Sequence, residues 1–231
     1  MHKIDFNYDL KKDAWSWVLI AKSKSIFGLN WRKQIAQIPE QLLTKIEKAT
    51  FLGAQKIVEE YIEKGVNKKY KNVVMNCEMF ALEKSWHFVE KKYFKILSDI
   101  TQKPIFTDKF GCYFTTGLVC PYDDKENWFM VSMWHSIPFS ITTICHEVMH
   151  LQFLHYYKNY LKKNGLTNNQ IEDLKESLTV LLNELEFDSI ILSDDGGYPQ
   201  HSKLRKKIAE VWSKNKDFKN LLDEAIIFIK K

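Results

Sequence analysis

Apolar residues recur at helical spacing in three stretches of the first hundred residues. This period predicts helices over residues 9–25, 39–64 and about 73–101, with Gly65 ending the second helix. The third stretch is rich in aromatic residues, which suits a helix packed against a core. We therefore expect a helical N-terminal region.

The pattern changes at Pro104, where β-branched and aromatic residues replace the helical period. Residues 110–119 and 127–134 have the composition of strands, and the polar residues 121–126 between them predict a turn. With a shorter strand near Ile105-Phe106, these segments predict a small antiparallel sheet.

The helical period returns after the second of these strands. Ser136 or Ser140 caps a long apolar helix that ends at Asn164-Gly165. Thr167 or Asn168 caps the next helix, which carries a dense stripe of leucines. Two shorter helices, at about residues 202–212 and 218–230, close the chain.

These elements predict an α+β fold that is predominantly helical. The chain has 231 residues, of which 45% are hydrophobic and 14% aromatic, and this is ample for a packed core. We expect a single domain over residues 1–231, with a helical N-terminal region (1–103) followed by the sheet, the long apolar helix and the C-terminal helices (104–231).

Charge and cysteine content narrow the functional classes. The net charge of +5 is uneven, because residues 1–100 hold 18 Lys and Arg against 12 Asp and Glu, or +6, and the remaining residues hold −1. The basic excess is too mild to indicate a nucleic-acid partner. The chain has no signal-peptide pattern and no run of about 18 uncharged apolar residues, so we expect a cytoplasmic protein without a membrane span. The four cysteines form no Cys-x-x-Cys pair, which argues against a structural zinc knuckle, and Cys145 suits the core.

The long apolar helix contains the sequence's main chemical signal, the motif His146-Glu147-Val148-Met149-His150. Positions i and i+4 share one helix face, so both imidazoles can bind one zinc ion. Glu147 lies about 100° round the helix from His146, close enough to polarise a water held in an open zinc position. Two histidines and a glutamate on a buried helix would be costly without such a partner.

A zinc hydrolase needs a third protein ligand. His155 is nine positions after His146, and nine steps of about 100° place it on the opposite side of the helix. The acidic helix that follows is the better source. Its candidates are Glu172, Glu176, Glu184 and Glu186, and a simple hairpin about residue 166 brings Glu176 and Glu184 closest to His150.

The motif followed by Lys175-Glu176-Ser177-Leu178-Thr179 resembles the gluzincin branch of the zincin metallopeptidases, in which a glutamate and a small residue follow on a second helix. The resemblance covers roughly residues 127–190 and implies a zincin-like core with Glu176 as third ligand. The spacing from His150 to Glu176 is longer than usual for the group. Asn183 also offers no match to the group's acidic residue beside the ligands.

The same resemblance predicts that an edge strand before the motif helix, here Asn127–Trp134, pairs with the substrate backbone. Attack on a peptide carbonyl also needs a hydrogen-bond donor for the oxyanion. Tyr198 and His201, which follow Gly196-Gly197, are the candidates.

The sequence thus predicts a zinc-dependent metallopeptidase acting on a peptide or protein, with Glu147 as general base and then proton donor to the leaving amine. The alternative is a non-catalytic regulatory or structural protein whose zinc pins two helices together. A helical protein whose motif binds no metal is the third hypothesis.

Overall fold

The strands form one mixed sheet in the computed structural model, which describes residues 2–23, 38–65 and 68–230. They are β1 (Lys3–Tyr8), β2 (Lys109–Thr115), β3 (Tyr122–Asp123) and β4 (Trp128–Ser132), in the order β1-β2-β4-β3. β1 and β4 both run parallel to β2, and only β3 pairs antiparallel, with β4. The predicted antiparallel sheet is therefore wrong.

The prediction failed because the segment between β2 and β4 is not a hairpin turn. All five residues of β4 are buried, as expected for an inner strand covered on both faces, which here has β2 parallel on one side and β3 antiparallel on the other. The segment predicted as a turn instead contributes β3, and Asn127, with a φ of 54°, lies in the turn from β3 into β4. Ile105-Phe106 forms no strand, and β1 was not predicted.

The N-terminal helices differ from the prediction at one break. They are α1 (Leu10–Lys22), α2 (Glu40–Lys48), α3 (Phe51–Lys64) and α4 (Lys68–Thr101). The single helix predicted over 39–64 is wrong, because Ala49 is extended and the Thr50 side chain caps a new helix by accepting from the Gly53 N–H at 3.2 Å. The last two residues of the predicted helix 9–25 lie outside the described residues.

The helices and strands pack around two separate apolar cores. α1, α2 and α3 share a small core around Val18, Ile46 and Val58. The larger core joins the sheet, α4 and all the helices that follow. The Tyr93 hydroxyl on α4 donates to the Cys145 carbonyl at 2.5 Å, so the second half of α4 is tied directly to the motif helix.

The motif helix is α5 (Ile137–Lys163), with Ser136 as its cap. It ends at Asn164-Gly165, where Gly165 has a φ of 80°. Thr167 and Gln170 form a capping box at the start of α6 (Asn168–Leu178). The chain then tightens into 3₁₀ turns at Thr179–Asn183 and Leu185–Phe187, before a third turn at Pro199–His201 and the last helices, α7 (Ser202–Lys214) and α8 (Phe218–Ile229).

None of the helices in the described parts of the chain combines the length and the apolar character that crossing a membrane would require.

Candidate metal centre

Three side chains from α5 and α6 converge on one point. His146 and His150 lie one turn apart with ring centroids separated by 4.1 Å. The Glu176 Oε2 atom lies 3.4 Å from His146 Nε2 and 3.7 Å from His150 Nε2. Ligands about 2.0–2.1 Å from a tetrahedral zinc are about 3.4 Å from one another. The spacing between the carboxylate oxygen and the two imidazole nitrogens therefore fits a single zinc ion.

Buried polar atoms at this point have no hydrogen-bond partner among the described residues. They are both ring nitrogens of His150, Glu176 Oε2 and Glu147 Oε2. Such atoms cost about 1–3 kcal/mol each when nothing satisfies them. Two imidazoles and a carboxylate form a donor set that suits zinc, so a bound metal would satisfy His150 Nε2 and Glu176 Oε2, while His150 Nδ1 faces Glu147 Oε2.

Asp195 orients His146 from the opposite side of the ring. Its Oδ2 atom lies 2.6 Å from His146 Nδ1, and its Oδ1 atom accepts from Thr179 Oγ1 at 2.8 Å and from Arg205 Nη1 at 2.9 Å. With Nδ1 held by Asp195, Nε2 is the ring nitrogen left for a metal, on the side that faces Glu176. This is the partner that metal-binding histidines ordinarily have.

The sequence reasoning missed Asp195 because it lies in a loop, 49 residues after His146. Asn183, which offered no acidic match, has a different task here: its side chain binds both the N–H and the carbonyl of Asp195, at 2.9 and 3.0 Å. The only available signal was the run Asp194-Asp195-Gly196-Gly197 close after the ligand helix.

The surroundings set the charge of each candidate ligand. Burial disfavours protonation of His146, but the Asp195 and Glu176 carboxylates outweigh it and raise the pKa well above its ordinary value. Burial, with the nearby Lys175 ammonium, holds the pKa of His150 well below its ordinary value. Burial also opposes ionisation of Glu176, yet the imidazoles of His150 and His146 and the Lys175 ammonium lower its pKa. His150 and Glu176 are therefore in the forms that bind metal, and His146 has a proton to release.

Glu147 is buried beside these ligands without joining them. Its Oε2 atom lies 3.5 Å from His150 Nδ1. Burial raises the pKa of Glu147 to about 7, and the positive charge of His146 limits the rise. A pKa near neutrality allows one carboxyl to accept and return a proton at ordinary pH.

A cavity of about 520 Å³ opens from the motif. Its wall includes His146, Glu147 and Tyr198 together with the apolar side chains Leu118 and Phe139. Burial, with the charges of Glu176 and Glu147, raises the pKa of Tyr198 above its ordinary value, so the hydroxyl keeps its proton and remains a donor.

Of the two residues predicted for the oxyanion, Tyr198 is in the cavity wall and His201 is behind it. His201 Nε2 lies 3.0 Å from Asp173 Oδ1, and the His201 ring meets that of Tyr198 edge-on at 5.8 Å. His201 is thus placed to support Tyr198.

The other predicted positions do not join the group formed by His146, His150 and Glu176. Glu184 and Glu186 pair with Lys216, at 3.5 and 2.5 Å, and His155 is exposed and stacks on Phe106. Glu172 pairs with Lys175 at 2.8 Å.

The prediction that residues 127–134 form an edge strand for the substrate is wrong. β4 lies between β2 and β3, so the short β3 holds the edge beside β4.

Comparison with family models, with curated proteins and with solved structures finds no match to this chain.

Proposed function

We propose that this protein is a zinc-dependent peptidase, with zinc held by His146, His150 and Glu176. The observation that supports a catalytic rather than a structural zinc site is that a cavity lies beside a group of only three candidate ligands among the described residues. Structural zinc sites are closed by four protein ligands, whereas catalytic sites combine three with an open position. Here three ligands meet at one point and the cavity reaches both His146 and Glu147.

Zinc held by His146, His150 and Glu176 would supply a Lewis acid for the substrate carbonyl and for the attacking water. Glu147 then takes the proton from the attacking water and delivers it to the nitrogen of the leaving amine. Its burial and its pKa of about 7 suit both transfers, and its Oε2 atom has no competing hydrogen bond within the described residues.

Tyr198 is the donor that we assign to the carbonyl oxygen as negative charge develops on it. Tyr198 lines the cavity, and its hydroxyl stays protonated. A donor placed in advance in a site shielded from water stabilises an oxyanion by about 3–4 kcal/mol. Its loss should therefore lower the rate without affecting the metal.

The cavity also indicates the substrate. Leu118, Val119 and Phe139 supply an apolar wall next to the motif. A peptide with a bulky apolar side chain beside the scissile bond fits this surface, because its burial is favourable at about 25 cal/mol per Å².

The test uses two isosteric variants and a matched control. Glu147→Gln should keep zinc and lose hydrolysis by about 10²–10⁴-fold, because the amide cannot accept the proton. Glu176→Gln should lose zinc itself. Glu184→Gln, which changes a carboxylate paired with Lys216, should retain both.

Zinc content and cleavage of a peptide library are measured for all four proteins. Wild type with one zinc and no cleavage of any peptide would support a non-catalytic zinc protein instead. Zinc retained in Glu176→Gln and lost in Glu147→Gln would overturn the assignment of ligand and base.

A further inference from the structure

The two carboxylate oxygens of Glu176 have different surroundings. Oε2 faces the two imidazoles and has no hydrogen-bond partner among the residues that the structure describes. Oε1 points the other way and lies 2.9 Å from the Nζ atom of Lys175. One oxygen is therefore left for a metal and the other is occupied by an ammonium group.

Lys175 is an unusual residue to find in this position, because it is only 2% exposed. A buried ammonium is stable only when its charge is paired and its N–H groups are satisfied. Its Nζ atom lies 2.9 Å from Glu176 Oε1, 2.8 Å from Glu172 Oε2 and 2.8 Å from the Tyr122 hydroxyl. These three acceptors match the three N–H donors of the ammonium group.

The acceptors form a closed arrangement that links the ligand helix to the sheet. The Tyr122 hydroxyl lies 3.1 Å from Glu172 Oε2, and Tyr122 belongs to the edge strand β3. Because Lys175 is buried and all three of its N–H groups have acceptors, it has no hydrogen-bond donor left for a substrate. Its action on the site is through Glu176.

We propose that Lys175 is a positioning residue that restricts Glu176 to binding metal through Oε2 alone. This inference rests on the proposed zinc centre. A carboxylate with two free oxygens can chelate a metal through both and fill a fifth position. With Oε1 held by Lys175, Glu176 supplies one ligand atom, and the position needed by the reacting groups stays open.

Cobalt(II) in place of zinc tests this directly, because its visible absorption is intense in four-coordinate sites and weak at higher coordination numbers. The wild-type chain should give the intense four-coordinate spectrum. Lys175→Met keeps the length of the stem and removes the donor, so the absorption should fall several-fold as Glu176 chelates. Lys175→Arg, which keeps a cation and its donors, should restore the wild-type spectrum.

Lys207→Met is the matched control, since it removes a lysine paired with Glu224 at 2.9 Å on another face. It should leave the spectrum unchanged. A Lys175→Met spectrum identical to wild type would overturn the proposal. Failure of wild type to bind cobalt or zinc would instead overturn the metal centre itself.

A second measurement needs no variant and covers the case in which Lys175→Met does not fold. The infrared difference spectrum of wild type with and without zinc reports the splitting between the two carboxylate stretches of the ligand glutamate. Binding through one oxygen, with the other held by Lys175, should give a splitting close to or above that of a free carboxylate. A splitting far below that value, typical of chelation through both oxygens, would refute the role of Lys175.

Discussion

Replacing Asp195 with asparagine should weaken zinc binding without removing any ligand. The carboxylate accepts from His146 Nδ1 at 2.6 Å and so fixes which ring nitrogen is free to bind metal. An amide oxygen can accept that bond, but it lacks the charge that strengthens it. Loss of such a partner costs about 10–100-fold in metal affinity, or about 1.4–2.7 kcal/mol.

The same change should also lower stability, because Arg205 is buried and loses its carboxylate partner. Breaking a buried pair by removing one member costs about 3–5 kcal/mol. Arg205 keeps its bonds to the Asp195 backbone carbonyl at 2.6 Å and to Thr179 Oγ1 at 2.8 Å, so the loss should fall below that range.

Zinc affinity is measured by competition with a chromophoric chelator, and stability is measured by urea unfolding of the zinc-free protein. Asp194→Asn is the matched control, since it removes the same charge from the neighbouring, exposed residue. Wild-type zinc affinity in Asp195→Asn, or equal weakening by Asp194→Asn, would refute direct orientation of His146.

Three further predictions concern the ligands, the core and a buried acid. His146→Ala and His150→Ala should each abolish stoichiometric zinc, while His155→Ala retains it, as metal analysis will show. Zinc removal should leave the helical circular dichroism unchanged, because the apolar core does not include the ligands; its loss on chelation would contradict this. Burial raises the pKa of Asp13 above 3.8 despite its hydrogen bonds to Thr115 and Thr116, so the folded protein binds the Asp13 proton more tightly than the unfolded chain does. The free energy of unfolding that this proton contributes is present at acid pH and is lost as pH rises through the folded pKa. Relative to wild type, Asp13→Asn should therefore gain stability from acid to neutral pH in urea unfolding, and a difference independent of pH would contradict the burial argument.

The features that the sequence predicted correctly depend on local periodicity and capping. Ser136 and Thr167 start the motif helix and the ligand helix, and Asn164-Gly165 ends the first of them, as their residue types indicate. These local signals left Glu176 and Glu184 as candidates, and the resemblance to gluzincins favoured Glu176, which the structure places beside His146 and His150.

The features that the sequence did not predict depend on pairing between distant segments. β2 and β4 look like a hairpin because they are close in the chain, yet they pair in parallel, and β2 takes β1 as its other neighbour from more than a hundred residues away. The uninterrupted apolar run of β4 was the one sign of a strand covered on both faces. Asp195 lies in a loop, and Lys175 is a charged residue buried inside the protein. A hydrophobic period in the sequence predicts neither position.

A zinc titration of chelator-stripped protein, followed by peptide cleavage, tests the proposed activity most directly. Cleavage by wild type should rise in proportion to added zinc and reach its plateau at one zinc per chain, because the three ligands define one site. Glu147→Gln should bind the same single zinc and show no rise above background. Cleavage that is independent of zinc, or that persists in Glu147→Gln at full zinc occupancy, would contradict the account.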